Sequence, residues 1–276
     1  WCPTYDGQAC LFDVESEKFI DVLQPIELST KQTNYVTRIY SLEKAIAWIL
    51  CENGYAFRVD EQLCKKGEGI TLYAPSNHNL KGDQIFNVYQ DSEEDEWILT
   101  DKGVSIIGKK TLDTDFPFQF ITQIKESIYL IAENDKLARY DFHTKKLKFV
   151  DIPYPHDKIN NVTTIGKDML ALGTDNGLIL YSIPQNSFQQ IDIRTATQTS
   201  NFVESVYQDC QGEIWIFSKD PGIVRLNLAT NEKEHLFTPK DEIIKHGRKS
   251  RKLIFEDNAN NLWLLPTEGN FCYYDR

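Results

Sequence analysis

The chain has 276 residues, with 30 Lys and Arg against 41 Asp and Glu and a formal net charge of −11. That balance excludes a general nucleic-acid or anionic-membrane footprint, because such partners need clustered positive charge. No stretch reaches the 18 or more consecutive apolar residues of a membrane span, and no basic-then-apolar leader stands at the start.

In chain order, a hairpin pattern opens at each of the five tryptophans, Trp1, Trp48, Trp97, Trp215 and Trp263. An apolar run follows the Trp, and a turn glycine falls six or seven positions on, at Gly7, Gly54, Gly103, Gly222 and Gly269. Glycine there supplies the positive φ of a tight hairpin turn. Twelve residues beyond the Trp stand Asp13, Asp60, Asn227 and Asp275, while Trp97 reaches Lys109. Two further copies lack the Trp: Tyr129 leads through Asn134 and Asp135 to Tyr140-Asp141, and Leu170 leads through Gly173 and Gly177 to Tyr181-Ser182. The copies start near 1, 48, 97, 129, 170, 215 and 263, roughly 44 residues apart on average, which is the period of a four-stranded propeller blade.

Ahead of three of the tryptophans lies another apolar run ending in an acid, with Asp91, Asp209 and Asp257 each six residues before the Trp. A carboxylate there accepts the N–H two residues on, and Gly212 or Asn260 takes the left-handed conformation that closes the turn. These acids are accordingly assigned to turn chemistry. Each unit then has four antiparallel strands: A ending at the Asp, B near the Trp, C ending near Tyr-Asp, and D after a polar turn. The predicted fold is all-β, a seven-bladed β-propeller of four-stranded antiparallel blades forming a single domain over 1–276. About 26 of the 28 strands are encoded, starting at strand B and ending at strand C. The sequence therefore reads as excised from a longer chain whose neighbouring segments supply the missing A and D strands.

Up-down connectivity places the B–C turns and the D–A connections at one end of the blades and the A–B and C–D turns at the other. The D–A connections, predicted at Ser29 to Tyr35, Ala74 to Gln84, Thr111 to Gln119, Pro153 to Asn161, Thr195 to Asn201 and Phe237 to Lys252, vary most. Variable loops on a repetitive scaffold are where binding resides.

Six cysteines in a chain of this length do not make a disulfide framework. Cys51, Cys64, Cys210 and Cys272 are expected as small buried hydrophobes, and only Cys2 and Cys10 are placed to face each other across a hairpin. The five histidines, His78, His143, His156, His235 and His246, show no metal-ligand spacing, and neither a phosphate loop nor a Gly-x-Ser-x-Gly elbow is present. No catalytic set, metal or cofactor is predicted. His78 and His156 share the D–A end, which keeps a propeller polysaccharide lyase as an alternative. A protein-interaction scaffold is a second alternative, although the Gly-His and Trp-Asp pairs of WD repeats are absent.

Taken together, Phe255-Glu256-Asp257 through Asn261-Leu262-Trp263, Gly173-Thr174-Asp175-Asn176-Gly177-Leu178 and Tyr140-Asp141 resemble the two-component regulator propeller repeat. The second copy departs from that pattern by lacking the Asp turn before Trp48, and the fourth and fifth lack the Trp. The resemblance covers essentially the whole chain. It implies the periplasmic sensor region of an inner-membrane hybrid two-component protein, whose kinase controls polysaccharide-utilisation genes in response to oligosaccharides. It also implies a flanking propeller and β-sandwich in the same chain, and homodimerisation through the parent chain.

Sugar binding favours exposed aromatics beside planar polar groups. In the D–A connections these are His78, Asn79, Phe116, Tyr154, His156 and Asn201. The basic segment Lys240 to Lys252, with Arg248 and Arg251, stands out against the acidic chain as a contact for an anionic sugar or an acidic neighbouring domain. Nucleic acid is not expected at this domain, because the segment is one short loop without interleaved stacking aromatics.

Overall fold

In the computed structural model the described residues form seven antiparallel sheets of three or four strands, with hardly any helix among them. The structure describes residues 1–3, 9–13, 15–21, 35–73, 80, 82–109, 112, 114, 116–218, 223–236, 253–265 and 272–274. Contact density divides the chain into two compact units, Trp1–Ile121 and Thr122–Arg276.

The first unit holds three sheets. Sheet 1 is Cys2–Pro3, Ala9–Asp13 and Lys18–Asp21; sheet 2 is Val36–Leu42, Ile46–Cys51, Ala56–Asp60 and Ile70–Tyr73; sheet 3 is Ile85–Gln90, Glu96–Thr100 and Gly103–Ile106. Sheet 4, whose first strand begins before the boundary, is Phe118–Ile124, Ser127–Ala132, Leu137–Asp141 and Lys146–Val150. Sheets 5 and 6 are Ile159–Ile165, Met169–Thr174, Gly177–Ser182 and Ser187–Ile191, then Val203–Gln208, Ile214–Ser218, Ile223–Leu226 and Lys233–Leu236. Sheet 7 is Leu253–Glu256, Leu262–Leu265 and Cys272–Tyr274. Every predicted copy start falls in or beside a strand B.

The burial pattern explains the sequence pattern. Strands B of sheets 2 and 4, Ile46–Cys51 and Ser127–Ala132, are buried throughout, so they read as continuous apolar runs instead of alternating ones. Strand D of sheet 4, Lys146–Val150, is mostly exposed, and its lysines guard an edge against strand addition. Between sheets 5 and 6, Ile165, Ala171, Leu178, Val206, Ile216 and Val224 form one core cluster. Between sheets 6 and 7, Trp215, Phe217, Ile223 and Leu262 form another. In the first unit, Trp48 packs with Ile46, Val88 and Ile98 between sheets 2 and 3.

Strand A carries a feature that the repeat spacing conceals. Its pairing with strand B shifts register between Val36 and Arg38, Ile85 and Asn87, Ile159 and Asn161, and Val203 and Ser205. One extra residue at the same place in four sheets is a conserved-geometry β-bulge, which bends the strand and strengthens its twist.

Several sequence expectations are corrected. Phe118, Gln119 and Ile159 to Asn161 belong to strands A, so those two D–A connections are shorter than predicted. Sheet 3 shows no strand D among the described residues, only a bridge from Val104 to Leu112. The C–D turn of sheet 2 is a short helix, Glu61–Cys64, because Asp60 caps it by accepting from the N–H groups of Gln62 and Leu63. Cys51 and Cys64 are buried as expected, but Cys210 is exposed because it sits on the tip of the Asp209 turn. Cys2 lies directly opposite Cys10 in the register of sheet 1, and the Cys272 side chain is outside the described residues. Gly54 and Gly103 do take positive φ, at 83° and 140°, while Gly7, Gly222 and Gly269 lie outside the described residues.

Candidate functional site

The Asp turns come first, because they decide which acidic residues are left for other work. Asp209 Oδ1 accepts from the N–H groups of Gln211 and Glu213, both at 2.9 Å, and its Oδ2 accepts the Trp215 indole N–H at 2.7 Å. Asp91 does the same with Glu93, Asp95 and Trp97, and Asp257 with Ala259, Asn261 and Trp263. Turn chemistry is therefore their role, and the indole bond explains the fixed spacing of six. The indole N–H of Trp263 and the turn amides hold the Asp257 carboxyl below the usual carboxylate range. A depressed native pKa contributes stability that is complete above the ordinary value of about 3.9 and is lost as pH falls through the native value. Acid titration should accordingly shift Trp263 emission at a pH below about 3.9, and Asp257→Asn should remove that transition. A midpoint at or above the ordinary value contradicts this arrangement.

At the end bearing the D–A connections, a second set of acids clamps the loops. Asp175 Oδ1 accepts from the N–H groups of Asp157 and Lys158 at 3.0 and 3.1 Å, and Asp101 Oδ1 accepts likewise from Asp83 and Gln84 at 2.6 and 3.0 Å. The predicted sugar-contacting residues of the second unit take part in the same bracing. Tyr154 donates its hydroxyl to the Phe188 carbonyl at 3.2 Å, and His156 has Nδ1 2.7 Å from the Tyr154 carbonyl and Nε2 3.4 Å from the Asp135 carbonyl. Asn201 accepts the Ile193 N–H at 2.9 Å and donates to Asn176 at 3.3 Å. A side chain on Gly177 would meet the Ile191 carbonyl at 2.7 Å, so this turn keeps its glycine. Phe116 lies in the first unit with its ring 5.6 Å from that of Phe118. His78, Asn79, Arg248 and Arg251 lie outside the described residues.

Sequence reasoning missed the residues around this bracing. Thr197 meets His235 at 2.8 Å, and Asp192 is paired with the adjacent Arg194, whose guanidinium bonds pull its carboxyl down to about 2. The Thr197–His235 contact joins strand D of sheet 6 to the connection that leads into that sheet, and spacing does not reveal it.

At the opposite end of the second unit, a cleft of about 430 Å³ opens between the A–B turns of sheets 5 and 6 and the C–D turn of sheet 6. Ile165, Met169 and Leu228 form its apolar floor, and Lys167, Gln211 and Asn227 stand at its rim. Gln208 Oε1 accepts the Gly166 N–H at 2.6 Å and ties the two turns together behind it. Among the described residues, no three His, Cys, Asp or Glu converge to hold a metal ion, and no helix is long and apolar enough to cross a membrane.

No protein-family model matches the chain, and no curated protein matches it. Solved structures do. The extracellular domain of BT3049 of B. thetaiotaomicron, assigned as a hybrid two-component system, superposes with a TM-score of 0.66 at 16% identity, over 97% of this chain and 37% of that one. The extracellular domain of BT4673 of the same organism, assigned likewise, gives 0.60 at 20% identity over 91% and 39%. The WD40 β-propeller domain of Doa1 gives 0.59 at 10% identity over 95% and 83%. The chain thus spans about two fifths of the length of the two bacterial domains. At these identities the likeness is one of fold, and the fold shared with the Doa1 domain is the β-propeller.

Proposed function

We propose that this chain is the ligand-sensing propeller in the extracytoplasmic region of a signalling protein of the hybrid two-component type. The observation that carries the reading is the match over 97% of the chain to the extracellular domain of such a system. The Trp and Asp-turn repeat, with its resemblance to the regulator propeller, supports it independently. In this reading the chain forms one seven-bladed ring completed by neighbouring sequence. The parent chain is an inner-membrane histidine kinase, the domain is periplasmic, and a second propeller and a β-sandwich flank it. The ligand is an oligosaccharide, the parent chain dimerises, and this domain performs no catalysis. Asp91, Asp209 and Asp257 are committed to turns and Asp101 and Asp175 to loop clamps, which is in keeping with a binding role.

Isothermal titration of an oligosaccharide panel into the complete sensor region tests this. Saturable binding of one sugar class, with the sugar recovered intact, is the expected result. Turnover of an acidic polysaccharide, abolished by His78→Ala or His156→Ala, overturns it in favour of a lyase.

A further inference from the structure

The cleft between sheets 5 and 6 exists because of two residue choices, which the same position in the first unit makes visible. There, the A–B turn of sheet 2 is Glu43, Lys44 and Ala45, and the Asp91 turn of sheet 3 has Glu94 at its tip. Gln90 Oε1 accepts the Glu43 N–H at 2.8 Å, as Gln208 does that of Gly166, so the two seams align residue for residue. In that alignment Lys167 stands where Lys44 stands, and Gly212 stands where Glu94 stands. Lys44 forms an ion pair with Glu94, which closes its seam. Lys167 has no such partner, because Gly212 has no side chain to offer. It is exposed, lines the same cleft as Gly212, and makes no ion pair with any described residue.

The other charges around the cleft are already answered. Asp168 pairs with Lys125, and Glu213 lies 3.5 Å from Arg225. Asn227 spends its Oδ1 on the Ala229 and Thr230 N–H groups, which leaves its amide N–H for a ligand. Space is available, since a Cβ on Gly166 would meet nothing within 4 Å and one on Gly212 would meet only Gln208 Nε2, at 3.8 Å. The cleft therefore offers one uncommitted cation, amide hydrogen-bonding groups and an apolar floor. A pyranuronate matches that set with a carboxylate, ring hydroxyls and an apolar C–H face.

We propose that this cleft binds a uronic-acid residue of an oligosaccharide, with the ligand carboxylate taking the place at Lys167 that Glu94 takes at Lys44. The choice of an acidic sugar among carboxylates rests on the sensing role above, whereas the cleft and its unanswered lysine do not.

Two substitutions and three probes test the proposal in the complete sensor region. Lys167→Gln removes the cation. Gly212→Glu supplies the missing internal partner, and the turn tolerates it, because Glu94 and Asn260 take φ of 66° at the equivalent positions, close to the 86° of Gly212. The probes are a galacturonic acid trimer, its methyl ester and a glutamate-bearing tripeptide. Losing a charge-assisted hydrogen bond weakens binding by about tenfold or more. The trimer should bind, the ester and each variant should lose about that factor, and the loss should shrink as salt screens the parent interaction. Circular dichroism and Trp emission should match the parent in both variants. Trimer binding that neither substitution changes overturns the assignment of the cleft while leaving the sensing role standing. Tripeptide binding as tight as that of the trimer overturns the acidic-sugar assignment. If no sugar, neutral or acidic, binds the complete sensor region, the sensing role fails and this proposal fails with it.

Discussion

Replacing Trp215 with Ala should destabilise the chain by about 3 to 5 kcal/mol, measured as a lowered urea midpoint with an unchanged slope. The residue is 0% exposed and lies between sheets 6 and 7, with its ring edge-on to Tyr274 at 5.1 Å. An aromatic of this kind buries roughly 150 to 250 Å². Truncation removes that contact, opens a void lined by Phe217, Ile223 and Leu262, and leaves Asp209 Oδ2 without its indole donor. Trp263→Ala should cost less, because Trp263 is only half-buried. Equal losses at the two sites, or a loss at Trp215 below about 1 kcal/mol, would show that the sheets are not coupled through this position.

The second large effect is expected at Glu96. Sheet 2 has no Asp turn before Trp48, so the Trp48 indole turns instead to Glu96 of sheet 3 and donates to its Oε2 at 2.6 Å. Arg58 grips the same carboxylate, with Nε 2.9 Å from Oε2 and an η nitrogen 2.6 Å from Oε1, and Glu96 holds the Arg58 pKa above its ordinary value. Glu96→Ala orphans an indole and a guanidinium together. Breaking a fully buried pair costs about 3 to 5 kcal/mol, and the solvent contact that Arg58 retains should bring the loss to about 2 to 3. Glu96→Gln keeps an acceptor for the indole and should cost clearly less. In a double-mutant cycle, Arg58→Met with Glu96→Leu should recover the part of the loss that comes from the orphaned guanidinium, and strictly additive single effects would rule out the coupling.

Glu96 also shows where the sequence stops being readable. The tryptophans, the acids six residues ahead of three of them and the turn glycines are local signals at fixed spacing, so five of the sheets could be placed from them, and the spacing alone placed the two that start at Tyr129 and Leu170. The partner that Trp48 adopts in place of its missing Asp lies 48 residues away, and no local rule names it. The bulges of strand A are hidden for a related reason, since the same extra residue recurs in four sheets and no residue type marks it. For the candidate site, residue type was legible but commitment was not. Tyr154, His156 and Asn201 look like free sugar contacts until their backbone partners are seen. The cleft at the other end had a signal in plain view, because aligning Gly212 with Glu94 shows a lysine without its acid.

The residue just before each turn Asp links neighbouring sheets in one direction only. Gln90, Gln208 and Glu256 accept the N–H groups of Glu43, Gly166 and Cys210, which lie 47, 42 and 46 residues earlier in the chain. On a ribosome adding about 5 to 20 residues per second, each of these amides waits roughly two to nine seconds for its acceptor to be synthesised. At these three seams a nascent chain ends in a sheet whose turn stays unfinished until strand A of the next sheet is made. Release of a fragment at one of these three boundaries leaves such an amide exposed at its C-terminal sheet. Fragments cut there should be caught by proteases from that end, while their N-terminal sheets resist.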